Sequence, residues 1–192
     1  MLYIAERKGG VVKGVVEGDD GLFGSDVEIT TEDFVGSGFD IKIVHHTNYR
    51  TASFCGLVLS DDGCCMTDPR KVLLNFGWSH CPQAHIPSQR NGLLKAKAMS
   101  LLYEYPRCPV VSALGQLGLR LSGGADAKFQ KGWRQFHLET EVIENWDATL
   151  DDVTRGISEA TRQSFYETFG IDVETQVAIE NDIMTWNGGE FL

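Results

Sequence analysis

The chain has 192 residues, 42% of them hydrophobic, and a formal net charge of −10. That length supplies either one domain with a real core or two small packed lobes. No apolar run of roughly 18 residues is present, which excludes a membrane-spanning helix. Met1–Gly10 carries charges without an apolar stretch, so no secretory leader is expected.

The run Val11-Val12-Lys13-Gly14-Val15-Val16-Glu17 and the run Gly21-Leu22-Phe23 flank Gly18-Asp19-Asp20. Two apolar stretches around a Gly/Asp tip predict a tight β-hairpin. The tip carries adjacent carboxylates, which repel each other and are relieved by a cation. The plain alternative is an ordinary Asp-Gly turn. Next, Thr30 or Thr31 can cap a short helix whose first turn holds Glu32 and Asp33, with Gly36 ending it. Phe39-Asp40-Ile41-Lys42-Ile43 alternates with period two, which predicts a strand with Asp40 and Lys42 on its polar face. A further strand is expected over residues 52–59, turned by Ser60-Asp61-Asp62-Gly63 and paired back by Cys64-Cys65-Met66-Thr67. Gly56 within it suggests close approach of another backbone or a ligand.

From Asp68 the period becomes helical. Asp68-Pro69 reads as a cap with proline in the first turn, and Gly77 stops that helix. Ser88–Tyr105 is the clearest helix, with Leu94, Ala98, Leu101, Leu102 and Tyr105 on one face and Lys95 and Lys97 off it. Pro109 opens another, with Val110, Leu114, Leu117 and Leu121 in register and Gly123-Gly124 as terminator. Asp126 is expected to begin a third, carrying Phe129, Trp133 and Phe136. Residues 149–169 and 172–184 are expected as two more, separated by Gly170. Strands first and helices afterwards make an α+β protein, divided near residue 68 into a β part, 1–68, and a helical part, 69–192.

Charge follows the same division. Residues 69–137 hold 10 basic and 2 acidic residues, Glu104 and Asp126, whereas residues 138–192 hold 2 and 13. A basic middle suits phosphate contact, and an ordinary solvated helical surface is the plain alternative. The five cysteines, Cys55, Cys64, Cys65, Cys81 and Cys108, are odd in number and include an adjacent pair. They do not read as a disulfide framework, so a reducing compartment is expected.

Taken in order, the stretches Val15-Val16-Glu17-Gly18-Asp19-Asp20-Gly21-Leu22-Phe23, Gly38-Phe39-Asp40-Ile41-Lys42-Ile43 and Ala52-Ser53-Phe54-Cys55-Gly56-Leu57 resemble palm motifs C, D and E of viral RNA-dependent RNA polymerases. The likeness is greatest to positive-strand RNA viruses of the tombusvirus-like and nodavirus-like kind. It covers residues 11–110, and residues 111–192 fit a helical thumb by position. The resemblance implies an incomplete right-hand polymerase fold of antiparallel palm hairpins followed by a thumb. It implies template-directed NTP transfer to an RNA 3′ end, with Asp19 and Asp20 on Mg2+ or Mn2+. It implies that Lys42 protonates the leaving pyrophosphate, for which a surface lysine paired with Asp40 or Glu17 is the alternative. Phe54, Cys55 and Gly56 would form the primer-grip strand, or a buried strand packed on a small residue. Arg90, Lys95 and Lys97 would face template and nascent strand.

Motif A, motif B and the basic fingers precede motif C in that family, and residues 1–17 hold none of them. The expectation is therefore a piece of a larger or split polymerase, inactive alone, whose partner segment carries motifs A and B. Its expected location is a viral replication complex in the host cytoplasm. Asp147 and Asp151 have carboxylate spacing, yet lie in an acidic helical stretch. Reverse transcriptase is disfavoured, because Gly18 stands where those enzymes carry a residue following an aromatic one. The rival reading is a non-catalytic α+β module binding zinc and RNA through Cys64, Cys65, His80, Cys81 and His85, though buried free cysteines explain that spacing better. His45-His46 reads as an exposed pair.

Overall fold

The computed structural model describes residues 1–129 and 133–187, and of residues 133–138 the backbone alone. The chain divides into two units, Met1–Val58 and Leu59–Leu192. Two small antiparallel hairpins come first and a mostly helical part follows, so the α+β order read from the sequence holds.

In the first unit, helix α1 (Leu2–Arg7) precedes the hairpin of β1 (Val12–Glu17) and β2 (Asp20–Ser25). Its core is Ile4, Ala5, Val12, Ile29 and Phe34, with Phe23, Ile41 and Ile43 packed on it. Val12 is the one buried residue of β1, so the base of the hairpin is anchored and its far end projects. The backbone N–H of Val11 donates to Asp26 Oδ1 at 2.6 Å and closes that base. The short helix expected after Thr30 is a 3-10 turn, Thr31–Phe34, with a reciprocal capping box between Thr30 and Asp33. Lys8 locks it through a 2.5 Å ion pair to Asp33. That Lys8 hydrogen bond, with the Thr30 backbone N–H, holds the Asp33 carboxyl below the usual carboxylate range.

Two expected strands are corrected. Residues 39–43 form no strand. Their alternation is real, since Ile41 and Ile43 are half-buried while Asp40 and Lys42 are exposed, but no neighbouring chain supplies a ladder. Residues 52–59 are not one strand either. Phe54 and Leu57 exchange both backbone hydrogen bonds, at 3.0 and 2.8 Å, around a two-residue turn of Cys55 and Gly56. Both turn residues have positive φ, 51° and 81°, the type I′ pattern. Gly56 is thus a turn residue, not a point of close approach.

The second hairpin pairs β3 (Val58–Leu59) with β4 (Cys65–Met66), turned by Ser60–Gly63 as expected. Helix α2 (Pro69–Asn75) starts on Asp68, whose carboxylate accepts the Arg70 N–H at 3.0 Å. Helices α3 (Pro87–Glu104) and α4 (Val111–Ser122) form the centre of the unit. A Cβ on Gly115 would meet Leu102 at 2.7 Å, and one on Gly118 would meet Ala98 at 2.8 Å, so these glycines set the close approach of α4 to α3. The buried face of α3 is Gly92, Ala96, Ala98, Met99 and Leu102.

No helix begins at Asp126. Residues 125–129 are irregular, and Lys128 N–H donates to Gly92 O at 2.8 Å instead. Helix α5 is Trp133–Glu144; residues 130–132 and the Trp133 and Phe136 side chains lie outside what is described. The single helix expected over 149–169 is two, α6 (Trp146–Thr154) and α7 (Glu159–Phe169). Gly156, at φ 75°, breaks it, and Ser158 starts α7 by accepting the Thr161 N–H at 3.0 Å. Helix α8 (Val173–Thr185) follows Gly170. Arg120 of α4 caps α8 by donating to the carbonyls of Met184 and Trp186.

Asp62 joins the second hairpin to α7. Its carboxylate accepts from the hydroxyls of Ser60 at 2.5 Å, Thr161 at 2.7 Å and Ser158 at 2.7 Å. Desolvation opposes ionisation, but the three hydroxyls outweigh it and hold the group far below the usual carboxylate range. A folded-state pKa below the unfolded value of about 3.9 contributes stability that is full above that value and is lost as pH falls toward the folded pKa. Denaturant titrations from neutral pH down to about pH 2 are expected to show this acid loss, and Asp62→Asn is expected to be less stable at neutral pH with a flatter acid limb. Parallel pH profiles for the two proteins would show that Asp62 does not carry it.

Candidate functional site: the acidic hairpin tip

The tip is built by the β1–β2 register, in which Glu17 pairs with Asp20. Gly18 and Asp19 are then the two turn residues. Gly18 alone has positive φ, 61°, the requirement of a type II′ turn with glycine in its first central position. Asp19 therefore sits at the apex and Asp20 opens β2, both exposed. The register puts the carboxylates of Glu17 and Asp20 directly opposite each other across the two strands. Like charges in that relation destabilise a hairpin, so the tip stores a demand for positive charge.

The Cys55 turn lies against this tip. Its Sγ–H donates to Glu17 Oε2 at 3.5 Å. Desolvation, then the Glu17 bond and the charges of Glu17 and Asp20, push the Cys55 thiol up. It stays protonated at neutral pH, a weak donor to the acids rather than a nucleophile. Phe54 beside it is half-buried and Gly56 is exposed. The structure thus brings Asp19, Asp20 and Cys55 to one region and replaces the expected primer-grip strand by a turn. The Cys55–Glu17 contact had no signal in the sequence.

Lys42 is exposed and makes no ion pair with Asp19, Asp20, Asp40 or Glu17 among the described residues. Arg90, Lys95 and Lys97 all lie on α3 in the second unit. Lys95 is half-buried and donates to Ala125 O at 2.8 Å, so its ammonium holds the segment after α4 in place. Lys97 donates to Asn75 O at 2.5 Å, and partial desolvation pulls it below the ordinary lysine value. Arg90 is exposed.

Asp19 and Asp20 are hard oxygen donors of the kind that suit magnesium or manganese. Among the described residues no three His, Cys, Asp or Glu side chains converge as a metal-holding group. Neither the tip nor the Cys64–His85 segment forms such a group among the described residues. Cys64 is buried, Cys81 donates to Gln83 Oε1 at 3.0 Å, and His85 Nδ1 lies 2.8 Å from Pro82 O. Burial pushes the Cys64 thiol up to about 11.

No helix among the described residues is long and apolar enough to cross a membrane. No protein-family model matches the chain, and neither does a curated protein or a solved structure.

Proposed function

We propose that this chain supplies palm motifs C to E and the thumb of a viral RNA-directed RNA polymerase, completed by a segment that carries motifs A and B. The observation that carries this reading is the hairpin tip. Two carboxylates stand exposed at the end of an anchored hairpin, with the Phe54–Leu57 turn against them. In the reading, Asp19 and Asp20 hold Mg2+ or Mn2+, and the partner segment adds the missing acid. Bound there, the metal supplies Lewis-acid charge at the primer 3′-hydroxyl and at the leaving pyrophosphate. The chain's own residues fix where that happens. The Val12 anchor and the two-residue turn set the carboxylates at the end of the hairpin, and the Cys55 thiol bonds Glu17 beside them.

The hairpin also has surface to spare for a partner. Val15 and Val16 are 53% and 65% exposed, and β1 and β2 pair only with each other among the described residues. Unpaired strand edges beside exposed valines are a template for further strands. RNA and NTPs are the expected ligands, and the host cytoplasm the expected location.

Lys42 tests the chemistry beyond the metal. As a proton donor to pyrophosphate, its replacement in Lys42→Leu lowers kcat of the assembled polymerase while NTP KM stays near its original value. Lys42→His restores part of the loss. A selective rise in KM would make Lys42 a phosphate-binding charge, and unchanged kinetics would return it to an exposed lysine on an extended segment.

A further inference from the structure

A groove of about 660 Å³ opens in the helical unit between the loop after α2, the exposed side of α3 and the segment following α4. Its volume falls within the roughly 300–1,000 Å³ of small-ligand pockets. Arg90, Lys97 and Lys128 line it and, among the described residues, no aspartate or glutamate does. In a chain of net charge −10, an acid-free wall with three cations is a local exception that selects for anions. Two aromatic rings, Trp78 and Phe129, line the same groove. Trp78 is 79% exposed. A large indole left in water beside three cations has no packing role of its own to explain it. Lys128 is held by Gln89 Oε1 at 2.8 Å and Lys97 by Asn75 O, and each ammonium keeps donors for a ligand.

We infer that this groove holds an unpaired nucleotide, its base stacked on the Trp78 indole and its phosphate met by Arg90, Lys97 and Lys128. The inference rests on the RNA-handling part of the function proposed above and sharpens it. Exposed aromatic faces recognise bases out of a helix, because a paired base in a duplex has no free face to offer. Lys95, which donates to Ala125 O, does not line the groove. The same chemistry serves a free nucleotide or one nucleotide of a single strand.

The test is binding to the chain alone, by fluorescence anisotropy. The ligands are a short labelled single-stranded oligouridylate, a blunt RNA duplex of equal length and an oligomer with abasic positions, with free UMP as competitor. Single strand is expected to bind better than duplex. Trp78→Ala is expected to lose about tenfold for the single strand, with Trp78→Phe recovering part, and with no change toward the abasic oligomer. Arg90→Gln is expected to lower the salt slope by about 0.7. UMP that competes at comparable concentration assigns the site to free nucleotides, and UMP that fails assigns it to strands. Equal affinity of wild type and Trp78→Ala for the single strand, or preference for duplex, would overturn the inference. The proposed catalytic reading fails separately, because Asp19→Asn is expected to leave this binding unchanged.

Discussion

On the proposed function, Asp19→Asn is expected to abolish NTP incorporation by a polymerase assembled from this chain and a segment carrying motifs A and B, with a loss on the order of a thousandfold or more. Asparagine keeps the shape of the turn apex and its exposure, so the hairpin still forms. What it removes is one anionic oxygen, and with it the metal charge that the proposed function places at the tip. Binding of RNA through the helical unit is expected to persist, so the defect lies in kcat. Primer extension by the assembled enzyme measures this, and the chain alone is expected to show no extension with or without the substitution. Near-normal extension by Asp19→Asn would reduce the tip to an ordinary turn.

Glu180→Ala is expected to cost the helical unit about 3 kcal/mol, or roughly 10 °C in Tm. Glu180 Oε2 accepts from Arg162 Nη2 at 2.7 Å, and both side chains are largely buried, 17% and 15% exposed. Glu180 Oε1 also accepts the backbone N–H of Val110 at 3.0 Å. Val110 stands at φ 65°, ψ −46°, with Val111 N–H bonded to Pro109 O at 2.6 Å, a strained γ-turn for a β-branched residue. Removing the carboxylate therefore leaves a buried guanidinium unpaired and frees a strained backbone amide at once. Glu180→Gln is expected to lose less, because it keeps the bond to Val110. The double variant Arg162→Met/Glu180→Leu is expected to recover part of the loss, since no charge is then stranded. All four tryptophans lie beyond residue 59, so tryptophan fluorescence reports this unit's unfolding directly.

Much of the architecture was legible because local chemistry and tertiary packing agree. The Gly18-Asp19 turn, the Asp68 cap, and the helices closed by Gly123 and Gly170 each follow from residues whose conformational preferences are strong. The sequence misled where a periodicity was satisfied by something other than the element it suggests. Residues 39–43 alternate because Ile41 and Ile43 pack on the core of the first unit while Asp40 and Lys42 face solvent, with no ladder partner required. Residues 52–59 are rich in strand formers, yet Cys55 takes a left-handed conformation that a side chain rarely adopts. Helical spacing runs through 149–169, but the Ser158 hydroxyl and Gly156 together favour a stop and a restart. At the site, Asp19 and Asp20 were legible from their turn. The Cys55 contact, the commitment of Lys95 to a carbonyl and the groove under Trp78 depend on long-range packing. The basic run of 69–137 was the one available hint of that groove.

Paramagnetic line broadening of the chain by Mn2+ reads whether Asp19 and Asp20 at the hairpin tip take up a divalent metal, as the proposed function requires. The predicted result is selective broadening of the backbone amides of Gly18 to Gly21, with Cys55 and Gly56 following, reversed by excess Mg2+ and lost in Asp19→Asn. Undisturbed hairpin signals, with stoichiometric zinc instead perturbing Cys64, Cys65, His80, Cys81 and His85, would contradict it.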